Sequence, residues 1–221
     1  MGKTVNIPYT CVIIAICVFL RISGTNQCCG DNNTPMKYLH QEYKSPLGDI
    51  IVKHFSDDKK WITDSEVWLY SANDPSKKTF LYSYETYARI LFSHDEKWLV
   101  LNNRYGSDGS SAILFKKVKD LEYEPVALLD TLAWDLFRKT HRQYKIPIFD
   151  HSYTYAVLWS SDSKSILVKT HGHDDLSPKA LEPWFCVYDV TTKKMTLDFS
   201  VFNRDTYHPD GEAKGRELYL Y

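Results

Sequence analysis

The sequence lacks an apolar stretch long enough to cross a bilayer as a helix. Its most apolar run, residues 9–20, follows Lys3, stops before Arg21 and has about 12 residues, whereas a spanning helix needs about 20. A run of this length behind a basic residue is typical of a secretion signal. We therefore expect a cleaved signal peptide over residues 1–25 and a linker over 26–36, with an uncleaved N-terminal anchor as the alternative. The expected location is secreted or periplasmic, or else membrane-anchored and facing outside the cytoplasm.

The sequence also lacks an excess of either charge. Lys and Arg total 27, Asp and Glu total 28, and the formal net charge is -1. A chain with this balance has no long-range field that attracts polyanions. We expect no nucleic-acid partner, and membrane contact only through the N-terminal segment if it stays attached. The expected partner is a protein or a glycan.

Cysteine is scarce, and the usual catalytic motifs are missing. Cys28, Cys29 and Cys186 are the cysteines beyond the expected signal, so at most one intramolecular pair can form and no disulfide framework holds the fold. Cys186 lies in an apolar stretch, where a thiol acts as a small hydrophobic side chain. The sequence has neither a Gly-x-Ser-x-Gly elbow nor a His-Glu-x-x-His pair. We predict no catalytic residue and no cofactor.

A repeated short motif is the strongest positive feature of the sequence. Three segments share the order aromatic, Ser, any residue, Asp, any residue, Lys, and they are Phe55–Ile62, Phe92–Leu99 and Trp159–Ile166. Ser and Asp side chains bond to nearby backbone groups and therefore favour chain reversal. Each copy lies between apolar runs, so each predicts a hairpin of two strands.

Further apolar runs downstream extend each hairpin to about four antiparallel strands. The predicted domain covers residues 37–221, with units over about 49–87, 88–154 and 155–202. Between the second and third hairpins, residues 127–142 carry apolar side chains at three- and four-residue spacings after a proline, which predicts an inserted helix. We expect Leu129, Leu132 and Leu136 to be buried against a sheet.

Four-stranded units opened by an aromatic-Ser-x-Asp-x-Lys turn resemble the blades of TolB-like and WD40-like β-propellers, over residues 49–202. This resemblance implies an all-β, mostly antiparallel fold of about three blade-like units. Three units are fewer than a propeller normally needs, so the ring is either incomplete or closed by strands near the two ends, residues 38–43 and 217–221. A β-sandwich and an α+β arrangement are the alternatives.

Two polar segments hold the candidate binding residues. If the units are equivalent, the loops that join their second and third strands emerge on one side, and such loops concentrate binding residues. Counting from the turns places Arg104 opposite His171 and Asp108 opposite Asp175. The predicted binding residues on these segments are Asn103, Arg104, Tyr105, Asp108, His171, His173, Asp174 and Asp175.

The sequence favours a binding role over catalysis. His171 and His173 with the following carboxylates can reach one divalent metal, but no third ligand has a recognisable spacing, so a solvated loop is the favoured interpretation and no metal is predicted. We expect an exported, non-catalytic binding or scaffolding module. The alternative is a metal- or carboxylate-dependent hydrolase of an extracellular polymer.

Overall fold

The structure is a computed structural model that describes residues 37–56, 65–141, 149–176 and 180–204. The expected signal segment, the linker to residue 36 and the expected strand over 217–221 lie outside the described residues. Within the described residues, no helix is long and apolar enough to span a bilayer. The described residues belong to the unit Pro35–Tyr221.

Most of the described residues form β-strands. The strands are β1 (Tyr38–Lys44), β2 (Ile50–Ser56), β3 (Ser65–Ser71), β4 (Lys78–Tyr84), β5 (Tyr87–Phe92), β6 (Trp98–Tyr105), β7 (Gly109–Lys119), β8 (Glu122–Leu128), β9 (His151–Trp159), β10 (Ser165–His173), β11 (Ala180–Asp189) and β12 (Lys194–Thr196). The helices are α1 (Leu129–Thr140), between β8 and β9, and α2 (Ser200–Arg204). Alternating buried and half-exposed positions in β2 and β3 are typical of strands with one face on the core.

The strands pair as three antiparallel units of four, in chain order. β1 to β4 form a sheet of their own, while β5 to β8 and β9 to β12 lie in one larger sheet. The two units of the larger sheet meet between β7 and β9, where Gly109 pairs in parallel with Ser152. The prediction of an all-β, mostly antiparallel fold with one inserted helix is confirmed.

The serine turns at Ser93 and Ser160 are equivalent, as the repeat predicts. In each, the serine N–H donates to the carbonyl five residues later, and the serine Oγ accepts the N–H of that same residue. The carboxylate two residues after the serine accepts the serine hydroxyl, at 2.8 Å in Asp95 and 2.7 Å in Asp162. Each turn joins the first and second strands of its unit.

The predicted equivalence of Ser56 with these serines is wrong. Ser56 ends the second strand of its unit, and the true counterpart is Ser45, whose Oγ accepts the Ile50 N–H at 3.0 Å. The first sheet therefore begins one strand earlier than the repeat indicated. In this turn Gly48, with φ +83°, takes the left-handed position that Glu96 and Ser163 occupy in the others. Because the Ser-x-Asp-x-Lys pattern is absent there, a search for the motif passes over it.

Helix α1 covers most of the predicted range and packs on the sheet through a shifted face. Leu129 is fully buried as expected, but Ala133 and Phe137 are the other buried positions. Leu129 and Ala133 belong to a hydrophobic core cluster that also contains the free thiol of Cys186. Leu132 and Leu136 are only partly buried and pack against this cluster. The helix begins at Leu129 and not at the predicted residue 127, because residues 127 and 128 still pair with β7.

The close approach of β7 and β9 depends on glycine. A Cβ on Gly109 would lie 2.7 Å from the carbonyl oxygen of Ser152, which is far inside normal contact distance. Since that atom belongs to the backbone, it cannot move aside without disturbing the strand pair.

We expect Gly109→Ala to lower the free energy of unfolding by about 2 kcal/mol, the usual cost of forcing extra volume into a packed site. Gly106→Asn is the matched control, because Gly106 has open space around it and a positive φ that asparagine tolerates. Urea unfolding of both variants measures the difference. Equal stability of Gly109→Ala and the wild type would show that the two strands separate at little cost.

Candidate functional site

The predicted binding residues lie mostly at strand ends rather than in loops. Asn103, Arg104 and Tyr105 close β6, and His171 and His173 close β10. The remaining predicted residues are Asp108, in the turn between β6 and β7, and Asp174 and Asp175, just after β10. Most of these residues are at least partly exposed, but Asn103 is buried beneath the surface.

The two predicted segments meet at a residue that the sequence analysis did not select, His151 at the start of β9. Its Nε2 lies 3.0 Å from Oδ1 of Asp175, and its Nδ1 lies 3.9 Å from Oδ1 of Asp108. Its Nδ1 also lies 3.1 Å from the carbonyl oxygen of Ser107. The structure therefore brings Asp108 and Asp175 to one imidazole.

Strand pairing places His151 beside His173. The two residues are direct partners in the antiparallel ladder of β9 and β10, and their rings stack with centroids 4.5 Å apart and planes 6° from parallel. Gly172 permits this packing, because a Cβ there would lie 2.8 Å from both the carbonyl oxygen of His151 and the ring of Phe149. The backbone of the site is thus held by the sheet.

Hydrogen bonds orient the ring of His151 and shift its pKa. A carbonyl oxygen can only accept, so Nδ1 of His151 donates to Ser107, and the Tyr153 hydroxyl donates to the same oxygen. The carboxylate of Asp175 and then the Ser107 carbonyl raise the pKa of His151 above its ordinary value. In turn, the imidazole lowers the pKa of Asp175.

His171 has a different setting from His173. Its ring stacks on Tyr153 at 4.8 Å and is only partly exposed. Burial, followed by the charges of Lys169 and His173, lowers its pKa. The sequence suggested His171 and His173 as a pair of ligands, but the structure groups His173 with His151 instead.

Three side chains of the site can hold a cation together. One ligand atom from each of His151, His173 and Asp175 lies within 4.8 Å of the other two. His151 is half-buried while the other two are exposed, so the group opens to solvent on one side. Asp174 lies outside this group, and its Oδ1 accepts the backbone N–H of Asp150 at 3.2 Å.

Counting could have located the missing residue to within one position. The hairpin of β9 and β10 turns at residues 160–165, and extending the pairing next to the turn outward brings residue 152, the neighbour of His151, opposite residue 173. The predicted third unit starts at residue 155 and therefore does not include His151. A register shift between Leu167 and Val168 also displaces a simple count by one residue.

The described part of the chain is thus an all-β repeat structure with a surface cluster of histidines and carboxylates. No family model matches the chain, and no curated protein matches it. Among solved structures, it is similar to TolB from Acinetobacter baumannii, with 11% identity and a TM-score of 0.39, over 72% of this chain and 32% of that one. It is also similar to the acylaminoacyl peptidase of Pyrococcus horikoshii, with 10% identity and a TM-score of 0.42, over 72% of this chain and 24% of that one. The chain therefore spans a third or less of the length of these proteins.

Proposed function

We propose that this chain is an exported, non-catalytic binding module whose ligand contacts one surface, the histidine face. The histidine face consists of Ser107, Asp108, His151, His173 and Asp175. The observation that carries the proposal is the meeting of two separate chain segments at His151, with Asp175 at 3.0 Å and Ser107 at 3.1 Å. A surface assembled from distant segments on a rigid sheet is a common place for binding residues.

A glycan fits the chemistry of the histidine face. Asp108 and Asp175 are exposed carboxylates, with 75% and 65% of their side chains accessible, and carboxylates accept hydrogen bonds from sugar hydroxyls. The exposed ring of Tyr105 lies beside Gly109, and Gly109 pairs with Ser152. This ring offers a flat surface on which a sugar can stack. The class of ligand that we propose is therefore an uncharged or basic carbohydrate, and a protein is the alternative.

An array of defined glycans, probed with the full chain, tests this function. We expect the wild type to bind a subset of the array, and the double substitution Asp108→Asn with Asp175→Asn to weaken that binding at least tenfold, because both carboxylates lose their charge. Asp135→Asn is the matched control, since Asp135 is an exposed carboxylate on α1 that pairs with Arg138. A glycan bound equally well by the double variant and the wild type would place the binding surface elsewhere.

Hydrolysis of an extracellular polymer is the second candidate function. The group formed by His151, His173 and Asp175 favours it, because catalytic zinc sites use three protein ligands and leave one position open. Release of new reducing ends from a bound glycan, lost in His173→Gln, would support hydrolysis. Binding without product release would support the binding module.

A further inference from the structure

We propose that His151, His173 and Asp175 form a binding site for one zinc-class divalent metal ion. The site goes beyond the proposed binding function, because it depends on these three side chains and not on any macromolecular ligand. No metal is predicted from the sequence, because no third ligand has a recognisable spacing from His171 and His173. The pairing of β9 with β10 supplies that ligand in His151.

The contact between His151 and Asp175 requires a cation. Since Nδ1 of His151 carries the hydrogen that it donates to Ser107, Nε2 of a neutral ring presents a lone pair. That lone pair lies 3.0 Å from a carboxylate oxygen of Asp175, which also carries only lone pairs when ionised. Two acceptors at this distance repel each other unless a proton or a metal ion lies between them.

The second imidazole favours a metal ion over a proton. One ring nitrogen of His173 lies within 4.8 Å of the ligand atoms of His151 and Asp175. Because the two rings stack with nearly parallel planes, and a ring nitrogen binds a metal in the plane of its ring, His173 has to turn out of the stack to share an ion with His151. A proton bridges two atoms, whereas a metal ion binds three or more. Zinc bond lengths of 2.0–2.2 Å imply separations of roughly 3.3–3.6 Å between tetrahedral ligands. His173 and Asp175 are exposed and can turn inward to reach that spacing.

The donor atoms select the class of metal. Two imidazoles and a carboxylate suit zinc and neighbouring first-row ions, while calcium and magnesium prefer sets of oxygen ligands. The Ser107 carbonyl completes the arrangement, because metal-binding histidines usually donate their other ring N–H to a fixed acceptor. Tyr153 donates to the same carbonyl and helps to hold it.

Equilibrium dialysis of the full chain against zinc, with calcium and magnesium in excess, tests the site. We expect the wild type to retain one equivalent of zinc, and His173→Gln and Asp175→Asn each to weaken retention at least tenfold. Both residues are exposed, so the variants should fold, and circular dichroism checks this. His141→Gln removes a histidine at the end of α1 and should leave retention unchanged.

Substitution with cobalt provides a second readout. Bound to wild type, cobalt should give the visible absorption of a tetrahedral ion with nitrogen and oxygen ligands, and His173→Gln should abolish that spectrum. Zinc retained as well by both site variants as by the wild type would overturn the proposal. A wild type that retains no zinc would also overturn it, because a proton would then be the only cation between His151 and Asp175. Glycan binding measured with and without a chelator keeps the two proposals separate, because either can fail while the other stands.

Discussion

We expect replacement of Asn102 by alanine to lower the free energy of unfolding by about 4 kcal/mol, the largest effect of any substitution described above. Asn102 lies on β6 and is almost fully buried. Its Nδ2 donates to the carbonyl oxygen of Ala156 at 2.9 Å, and its Oδ1 accepts the N–H of Ala156 at 2.8 Å. One side chain therefore satisfies both backbone groups of a residue in the next unit.

The size of the effect follows from burial. Alanine at position 102 leaves a donor and an acceptor on Ala156 without partners, and each unsatisfied buried group costs about 1–3 kcal/mol. Ala156 is 5% exposed, so water cannot readily replace the lost bonds. The same arrangement recurs nearby, where Ser110 Oγ bonds both backbone groups of Thr154. These side chains join the second and third units.

Asn103→Ala is the matched control for Asn102→Ala. Asn103 is the adjacent residue and is also buried, but its Oδ1 accepts no hydrogen bond from the residues that the structure describes. We expect this variant to lose less than about 1 kcal/mol, because loss of this Oδ1 leaves no buried backbone donor without its partner. Urea unfolding at pH 7 gives both values. Similar losses in the two variants would mean that the bonds to Ala156 contribute little.

The second large effect is a loss of stability at acidic pH that depends on His54. This residue is fully buried in the first sheet, with its Nδ1 3.1 Å from the Tyr84 hydroxyl and its Nε2 3.3 Å from the Tyr43 hydroxyl. Burial, assisted by the charge of His40, lowers the pKa of His54 to about 4. The folded protein therefore keeps this imidazole neutral at pH values where an unfolded chain would protonate it.

The direction of the effect follows from proton binding. Between pH 6.5 and about 4, the unfolded state binds a proton at His54 and the folded state does not, so stability falls as the pH falls. The contribution of His54 is fully present above about pH 6.5 and is lost progressively towards pH 4. A pKa difference of this size corresponds to at most about 3 kcal/mol.

The variant His54→Phe isolates this contribution. We expect the difference in unfolding free energy between pH 7 and pH 4 to shrink by about 2–3 kcal/mol, because phenylalanine does not titrate. The pH difference is the relevant measure, since the substitution also changes packing at both pH values. His141→Phe at the end of α1 should keep the wild-type difference. An unchanged difference in His54→Phe would show that other groups cause the acid sensitivity.

Much of the fold could be predicted because it follows from local patterns. The turns at Ser93 and Ser160 form from Ser and Asp bonding to their own backbone, and their sequence predicts them without any distant contact. The helix over Leu129–Thr140 follows from apolar spacing in the same way. The turn at Ser45 was not predicted, because it forms the same reversal with glycine and proline where the repeated motif has other residues.

The sequence by itself determined the strand-rich architecture, the repeated turns and the inserted helix, because these depend on residues within a few positions of one another. Only the tertiary structure decided which polar residues share a surface. Register along β9 and β10 placed His151 against His173 and near Asp175, and the parallel pairing of β7 with β9 brought Ser107 to the same ring. These contacts join positions up to 44 residues apart, and their spacing is set by strand pairing rather than by any local pattern in the chain.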